Sequence, residues 1–482
     1  MGYKIYTSEK TYSIQEFKRD IQAYKMYLKE MDVVAGERVL FTAENSYNFL
    51  IGFFALTELA VSIVLVDCLT GEKELNEIIK DCGSSVCISD KKLNLSPEIR
   101  RIQLNPPMKI DSLVEVGDSI NPDWIHKEDA LILYSSGSTG KPKGIVKSGT
   151  AFTLNLKKTM DVMRYQDDDV LLPLIPFTHF YGLSIVFLWR MMKCDLVLCD
   201  YKKIRSIIKA INDWRVTVVD GIPSTYHVLV NILKKREKIK ENLKQSCVRM
   251  WCVGGAPLSS KLGDEFQSVL GKPLLDGYGL SELGNVALNV TTHKNGCGKS
   301  LEGVEVQVID SKGLQLLNGE IGEIVVKTPD VMERYLNLPN ETNLVLKDGW
   351  FKTNDLGYLD SHGNLFIIGR KGEEVVRKGY VIHPAKIEKN VEDALGIKGK
   401  IVTFHDEKKG AYMILFLEAS PLENNGLKNA VTENLDPVLM PDKIVFLEKF
   451  PYLPNGKVDF VALKIWAAEY RKSGVENELC KV

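Results

Sequence analysis

The sequence carries almost no net charge and contains no long uninterrupted apolar run. Its 62 Lys+Arg against 63 Asp+Glu give a formal net charge of −1, so net charge alone cannot hold nucleic acid or an anionic membrane. The longest apolar run, Phe49 to Val66, is interrupted by Gly52 and Glu58 and predicts a buried helix that leads into a buried strand. We therefore expect no nucleic-acid partner and no membrane span, and a small molecule or a protein as the partner.

Disulfide and zinc patterns are also lacking. The nine cysteines are odd in number and lie mostly inside apolar segments. Cys82 and Cys87 have no second pair at a zinc-binding spacing. The opening letters MGYKIYTSEK contain no secretory signal. We expect free, buried thiols in the reducing cytoplasm.

The pattern of apolar residues predicts the fold class. Ser13 and Glu16 form a capping box before a helix, and apolar strands then alternate with helices that begin near Ser46 and Glu72, which is typical of parallel sheets covered by helices. After about residue 300 the chain turns to short alternating strands, and beyond Gly369 to a mixed pattern long enough for a small domain. The prediction is an α/β protein with a large N-terminal body of helix-covered sheets, a β-rich subdomain and a small C-terminal α+β domain.

The segment from Tyr134 to Gly144, YSSGSTGKPKG, carries the strongest functional signal. It follows an apolar strand and is rich in glycines, hydroxyls and lysines. Glycines let the backbone approach an anion, while hydroxyls and lysines bind phosphate oxygens. The spacing from Gly137 to Lys141 is too short for the GxxxxGK[ST] loop, and Pro142 follows the lysine. We predict a phosphate-binding loop of a different type.

This loop and several later segments, in the same order, resemble those of the adenylate-forming enzymes. That family includes acyl-CoA synthetases, aryl-acid ligases, luciferases and the adenylation domains of peptide synthetases. The resemblance implies that a small-molecule carboxylic acid reacts with ATP and Mg²⁺ to give an acyl-AMP and pyrophosphate. The acyl group then passes to the thiol of CoA or of phosphopantetheine on an acyl or aryl carrier protein.

The resemblance also implies roles for single residues. Tyr278 would lie against adenine, Asp355 would accept hydrogen bonds from the ribose, Glu282 with Thr139 would hold the metal, and Lys457 would stabilise the charge that develops during adenylation. The catalytic candidates are Lys457, Thr139, Glu282 and His179. The nucleotide and thiol contacts are Ser135, Ser136, Gly137, Ser138, Thr139, Gly140, Lys143, Gly255, Ala256, Pro257, Asp276, Gly277, Tyr278, Gly279, Ser281, Asp355, Arg370, Lys378 and Gly379.

The resemblance further implies two domains that rotate against each other. Residues 1–370 would form the adenylation body, and residues 371–482 a mobile cap with its hinge near Gly372. Three positions depart from the usual family pattern: Asn354 and Gly149 replace a glycine and a histidine, and Gly372 replaces Asp or Lys.

The acid pocket is predicted from a segment around His179. The expected lining residues are His179, Phe180, Tyr226, Gly277, Gly279 and Val286. No acidic residue occurs between Pro173 and Lys193, so an amino acid would leave its ammonium unpaired, and a fatty or aryl acid is favoured. A stand-alone amino-acid adenylation enzyme and a non-catalytic nucleotide-binding homologue remain alternatives.

Overall fold

The structure is a computed structural model of the chain. It describes residues 2–104, 117, 119–135, 142–371, 375–377, 380–406, 410–419, 424–435, 439–453 and 457–473.

The first part of the chain alternates strands and helices, as the sequence predicted. Its elements are β1 (Lys4–Tyr6), β2 (Thr11–Ser13), α1 (Ile14–Glu30), β3 (Arg38–Thr42), α2 (Tyr47–Glu58), β4 (Ser62–Leu65), α3 (Glu72–Cys82), β5 (Val86–Ser89), β6 (Arg100–Gln103), α4 (Pro122–Ile125), β7 (Leu131–Ser135) and β8 (Lys143–Lys147). The capping box of α1 is confirmed, because Glu16 N donates to Ser13 Oγ and Ser13 N donates to the Glu16 carboxylate. The run from Phe49 to Val66 is a buried helix, α2, followed by a buried strand, β4.

The middle of the chain continues this alternation. Its elements are α5 (Gly149–Met163), β9 (Val170–Pro173), α6 (Phe180–Met192), β10 (Asp195–Val197), α7 (Ile204–Asp213), β11 (Val218–Gly221), α8 (Pro223–Lys235), α9 (Glu237–Lys244), β12 (Met250–Val253), α10 (Ser260–Leu270), β13 (Leu274–Leu280), β14 (Gly284–Leu288) and β15 (Lys299–Ser300).

The last part begins with short antiparallel strands and ends with a mixed α/β region. Its elements are β16 (Glu305–Ile309), β17 (Gly322–Lys327), β18 (Arg334–Tyr335), α11 (Pro339–Val345), β19 (Leu346–Lys347), β20 (Trp350–Leu359), β21 (Leu365–Arg370), β22 (Val375–Arg377), β23 (Tyr380–Ile382), α12 (Pro384–Leu395), β24 (Gly399–Asp406), β25 (Gly410–Glu418), α13 (Asn424–Asn434), β26 (Lys443–Leu447) and α14 (Phe460–Ser473).

Two largely parallel sheets form the body. Sheet 1 has the order β18-β8-β7-β4-β3-β5-β6, and sheet 2 has the order β15-β14-β13-β12-β11-β9-β10-β1-β2. The pairs from β7 to β6 in sheet 1 and from β13 to β1 in sheet 2 are parallel, and the outer pairs are antiparallel. Ligands bind beyond the carboxyl ends of parallel strands in such sheets, so the loops after β7, β11, β12 and β13 are the places to look for a site.

A third, antiparallel sheet and a separate C-terminal sheet complete the fold. Sheet 3 has the order β16-β17-β20-β19 with β21 on β20, and sheet 4 has the order β24-β25-β26. Sheet 4 has its own apolar clusters, one containing Val391 and Leu415 and the other containing Phe416 and Leu463. Helix α12 lies against α10 of the body, where Lys261 N donates to Asp393 Oδ1 at 3.3 Å. The predicted hinge residue Gly372 lies outside the described residues.

The predicted burial of the thiols holds for part of the described cysteines: Cys82, Cys87, Cys194, Cys252 and Cys297 are buried, Cys68 and Cys199 are partly exposed and Cys247 is exposed. Free cysteines within the described ranges are Cys68, Cys82, Cys87, Cys194, Cys199, Cys247, Cys252 and Cys297. Cys480 lies outside those ranges. Burial raises the pKa of the Cys87 thiol to about 12, which keeps it protonated. None of the helices within the described ranges combines the length and the apolar character that a membrane crossing needs.

Candidate active site

The predicted phosphate loop joins two paired strands of sheet 1. Ser135 at the end of β7 is opposite Lys143 at the start of β8. The loop residues Ser136, Gly137, Ser138, Thr139 and Gly140 lie outside the described residues, so their phosphate contacts and the metal role of Thr139 stay predictions.

Glu282 and Lys143 meet at one tyrosine that the sequence analysis did not identify. Tyr335 Oη donates to Glu282 Oε1 at 2.9 Å, and Lys143 Nζ lies 5.4 Å from the centre of the Tyr335 ring. Tyr335 reaches this position because β18 pairs with β8, which places Tyr335 opposite Ile145. A single tyrosine in a short strand gives no sequence signal, and only the strand pairing brings it to Glu282.

A buried lysine holds the backbone behind Glu282. Lys147 has no exposed surface, and its Nζ donates to the backbone oxygens of Glu282 at 3.2 Å and of Asp330 at 2.5 Å. Burial lowers the pKa of Lys147 to about 8, and the nearby charge of Asp330 opposes that shift. The sequence analysis missed this residue too, although a lysine at the end of the apolar strand KGIVK was an available signal.

The network around Lys147 extends to helix α5. The Asp330 carboxylate is fully buried and accepts from Lys158 Nζ at 3.0 Å and from Asn155 Nδ2 at 3.1 Å. Asn155 also donates to the backbone oxygen of Asn285, three residues beyond Glu282. Buried polar groups that are paired in this way rigidify the backbone they contact, so the turn that carries Glu282 is held from two sides.

The predicted ribose residue Asp355 is buried and contacts both the buried Tyr278 and the half-exposed Arg370. Tyr278 Oη donates to Asp355 Oδ2 at 2.5 Å, and Arg370 Nε lies 3.0 Å from Asp355 Oδ1. Burial raises the pKa of Asp355, whereas Arg370, the Tyr278 hydrogen bond and Lys457 oppose the shift. The structure therefore brings together four of the predicted residues, Tyr278, Asp355, Arg370 and Lys457.

Asn354 keeps the backbone shape that glycine would allow. Its φ is +56°, in the left-handed region, which asparagine tolerates better than most residues. The departure at Gly149 has a packing reason. A Cβ on Gly149 would lie 2.6 Å from the backbone oxygen of Trp124 and 2.7 Å from that of Ile125, so the contact with α4 excludes a side chain here.

Lys457 approaches the Asp355 cluster from the C-terminal region. Its backbone oxygen accepts from Leu453 N at 2.7 Å, which closes a turn whose residues 454–456 lie outside the described residues. Although Lys457 has exposed surface, burial of its ammonium lowers its pKa, Arg370 lowers it further and Asp355 opposes both effects. A lysine whose charge interacts with that of a carboxylate suits the predicted charge-stabilising role.

The other predicted nucleotide residues lie where β12 and β13 end. Gly255, Ala256 and Pro257 are exposed just beyond β12. Asp276 is buried, its Oδ1 accepts from Gly277 N at 2.9 Å, and its Oδ2 lies 3.6 Å from Cys297 Sγ. Burial raises the pKa of Asp276 to about 7. Since both carboxylate oxygens are engaged within the protein, Asp276 supports this segment, and its contact with nucleotide stays a prediction, as does that of Ser281.

The predicted acid-pocket residues do not all lie together. His179 precedes α6, and its Nε2 is 2.7 Å from Asp67 Oδ2, a partner that the sequence analysis missed. Phe180 is buried next to Phe152, with its ring 5.7 Å from Lys147 Nζ. Tyr226 belongs to the core under sheet 2.

The position of Tyr226 does not support its predicted place in the acid pocket. It has no exposed surface, packs against Trp251 and Phe266, and donates to the backbone oxygens of Val219 and Cys252. Val286 is also fully buried. Gly277 and Gly279 lie in β13, where a Cβ would lie 2.8 Å from Leu288 Cδ2 and 2.6 Å from Gly284 O, respectively.

The thiol-side residues Lys378 and Gly379 lie outside the described residues. They connect β22 and β23, in which Arg377 is opposite Tyr380. Their role stays a prediction.

The residues around Glu282 can be compared with the ligands that Mg²⁺ requires. Within the described ranges no three His, Cys, Asp or Glu side chains cluster as a metal site. Mg²⁺ in nucleotide enzymes takes one or two carboxylates together with substrate phosphates and waters. Glu282, beside Lys143 and the end of the phosphate loop, fits that arrangement.

Comparisons with known proteins identify the family of this chain. A family model described as AMP-binding enzyme matches residues 3–336. A 2-succinylbenzoate–CoA ligase of Enterococcus faecalis is 24% identical over 94% of this chain and 93% of its own. A fatty acid–acyl-carrier-protein ligase of Streptomyces coeruleorubidus is 25% identical over 93% of this chain and 90% of its own.

Solved structures share the fold. ATP-bound MatB of Rhodopseudomonas palustris superposes with a TM-score of 0.84, at 21% identity over 98% of this chain and 97% of its own. The o-succinylbenzoate CoA synthetase of Bacillus subtilis, in complex with its acyl-adenylate, gives 0.83 at 22% identity over 98% of this chain and 96% of its own. Because the family model covers more than half of the sequence, the chain belongs to the AMP-binding enzyme family and is an AMP-forming acid–thiol ligase.

Proposed function

We propose that this protein activates a fatty or aryl carboxylic acid with ATP and transfers the acyl group to the thiol of CoA or of a carrier-protein phosphopantetheine. In the first step a carboxylate oxygen attacks the α-phosphorus, and the bond to the bridging oxygen breaks as pyrophosphate leaves. In the second step the thiol loses its proton and its sulfur attacks the acyl carbon, and AMP leaves with the electron pair of the broken bond.

The observation that supports this proposal is the cluster of Tyr278, Asp355 and Arg370, in which the charges of Asp355 and Arg370 act on Lys457. Asp355 accepts from Tyr278 and pairs with Arg370, so its carboxylate is oriented before a ribose arrives. Burial lowers the pKa of Lys457, the charge of Arg370 lowers it further and the charge of Asp355 opposes both effects. A preplaced ammonium stabilises the negative charge that develops as acid and α-phosphate react.

Glu282 and Lys143 would hold the metal-bound phosphates. Bound Mg²⁺ would neutralise charge on the phosphate oxygens as pyrophosphate leaves. Tyr335 keeps the Glu282 carboxylate in place through its hydroxyl, and Lys147 keeps the backbone of the same residue in place. These side chains therefore orient the phosphates without entering the reaction themselves.

The acid and the acceptor are proposed from the relatives and from the pocket segment. The named relatives act on succinylbenzoate and on fatty acids, and they use either CoA or an acyl carrier protein. A 4-coumarate–CoA ligase of rice is 25% identical over 89% of this chain and 83% of its own. The pocket segment between Pro173 and Lys193 has no acidic residue of its own, but the structure brings Asp67 to His179 and Asp220 to Tyr181, so the test below includes amino acids.

The test is exchange of labelled pyrophosphate into ATP with separate panels of fatty, aryl and amino acids. Exchange with a fatty or aryl acid supports the proposal, and exchange confined to amino acids would replace it with an amino-acid adenylation enzyme. Nucleotide binding without exchange for any acid would indicate a non-catalytic homologue. Lys464→Ala, an exposed lysine in α14, is the control for Lys457→Ala. Acyl transfer is then measured with CoA and with a phosphopantetheine-loaded carrier protein.

A further inference from the structure

A buried carboxylate in sheet 2 has one oxygen without a partner. Asp220 lies near the end of β11 and is 2% exposed. Its Oδ1 accepts from Tyr181 Oη at 3.0 Å, whereas its Oδ2 is buried and makes no hydrogen bond within the described part of the chain. Leaving such an oxygen unpaired is costly, so we expect a ligand atom to form a hydrogen bond with it.

Among the described residues, no basic side chain pairs with the Asp220 carboxylate. Burial raises its pKa to about 7, and among the described residues the hydrogen bond from Tyr181 is the effect that opposes the shift. On β9, Pro173 is opposite Asp220 and has no N–H to donate. Asp220 is therefore divided between its neutral and ionised forms near neutral pH, and both forms lack a partner at Oδ2.

Tyr181 connects Asp220 with the predicted substrate site. It lies in the first turn of α6, two residues after His179. A Cβ built on Gly254 would lie 3.2 Å from Tyr181 Cε1 and 3.6 Å from the backbone oxygen of Gly277. The ring thus borders the ends of β12 and β13, where the adenine and acid segments were predicted. The carboxyl end of a parallel strand is also where ligands bind in such sheets.

We propose that Asp220 and Tyr181 recognise a hydroxyl group on the carboxylic acid substrate, remote from the carboxylate that is adenylated. A hydroxyl can donate to an ionised Asp220 or accept from a neutral one, so it satisfies Oδ2 in either form. This inference rests on the proposed function and specifies the substrate class as hydroxylated acids. An acid without the hydroxyl would leave Oδ2 unpaired in the complex, and such sites discriminate against it.

The experiment compares matched acids in pyrophosphate exchange. The pairs are benzoate with para-hydroxybenzoate, cinnamate with para-hydroxycinnamate, and decanoate with omega-hydroxydecanoate. The wild type should show kcat/KM about ten- to a hundredfold higher for the hydroxylated member of at least one pair, the scale of one buried polar group left unpaired. In Asp220→Leu and in Tyr181→Phe the ratio for that pair should fall toward one.

Tyr226→Phe is the matched control. Its hydroxyl lies under the same sheet and, within the described part of the chain, donates to the backbone oxygens of Val219 and Cys252 and not to Asp220, so the ratio should not change. If Asp220→Leu does not fold, the wild-type ratio and Tyr181→Phe decide the question.

Three results would overturn the inference. A wild-type ratio near one for every pair would do so, as would a ratio that survives both substitutions. Preference for para-aminobenzoate over para-hydroxybenzoate would replace the hydroxyl with an amine. Lack of exchange with every acid is a separate outcome, because it refutes the proposed function itself.

Discussion

Replacing Lys147 with methionine should change how stability depends on pH. Burial lowers the pKa of Lys147 from 10.5 to about 8, and at about 1.36 kcal/mol per pH unit this difference is about 3 kcal/mol. Between these two values the unfolded chain binds a proton that the folded protein has released. Stability from this group therefore rises as pH rises from about 8 to about 10.5, and below pH 8 the buried charge costs its full amount.

The substitution removes this titration and two hydrogen bonds. The backbone oxygen of Glu282 still accepts from Met332 N at 2.6 Å, whereas that of Asp330 loses Lys147, at a cost of about 1–3 kcal/mol. At pH 7 this loss nearly offsets the relief of the buried charge, so Lys147→Met should lie within about 2 kcal/mol of the wild type. At pH 10 the wild type should have gained about 2–3 kcal/mol relative to the variant.

Urea unfolding at pH 7, 8.5 and 10 measures this difference in stability. Unfolding is followed by the fluorescence of the buried tryptophans Trp124, Trp189 and Trp251. Lys209→Met removes an exposed lysine that pairs with Asp213 and should change stability by less than about 1 kcal/mol at each pH. If the free energies of unfolding of the wild type and of Lys147→Met change in parallel from pH 7 to pH 10, burial does not lower the pKa of Lys147.

The same variant tests the positioning of Glu282. Loss of the bond from Lys147 to the Glu282 backbone should weaken the apparent affinity for Mg²⁺ in the exchange reaction about tenfold, the scale of lost support behind a metal ligand. An unchanged Mg²⁺ dependence would show that the bond from Lys147 is not needed to position Glu282.

Three further substitutions test the rest of the site. Lys457→Ala should lower the rate of adenylation by about 10²–10³, whereas the rate of thioester formation from supplied acyl-adenylate should not change. Undiminished adenylation in this variant would contradict the role assigned to Lys457. Tyr278→Phe keeps the ring but removes the donor to Asp355, so KM for ATP should rise severalfold in steady-state kinetics, whereas Tyr358→Phe, outside this cluster, should leave it unchanged. Asp67→Ala removes the partner of His179 and should raise KM for the acid but not for ATP; an equal rise in both would place the pair outside the acid site.

Much of the fold could be predicted from the sequence because its signals are local. The capping box at Ser13, the apolar run that becomes α2 and β4, and the helix from Pro384 to Leu395 each depend on residues a few positions apart. The segments with Asp355 and Lys457 were identified in the same way, as short strings with a characteristic order.

The tertiary structure alone decided which side chains meet. Tyr335 contacts Glu282 across 53 positions, His179 contacts Asp67 across 112, and Lys147 contacts the backbone of Asp330 across 183. Such pairs depend on strand order and register, which no local string encodes. For the same reason the sequence placed Tyr226 in the acid pocket, whereas strand order buries it in the core.

The sequence by itself carries the family's motifs, from which a phosphate loop, a ribose carboxylate and a lysine for adenylation are predicted. The acid-binding contacts that we propose depend on the folding of sheet 2, which brings Asp220 on β11 to Tyr181 on α6. Recognition of phosphate and ribose uses contiguous segments, because backbone and side chains of one loop surround the ligand. A substrate pocket is assembled from several strands and helices, so its polarity depends on which of them become neighbours.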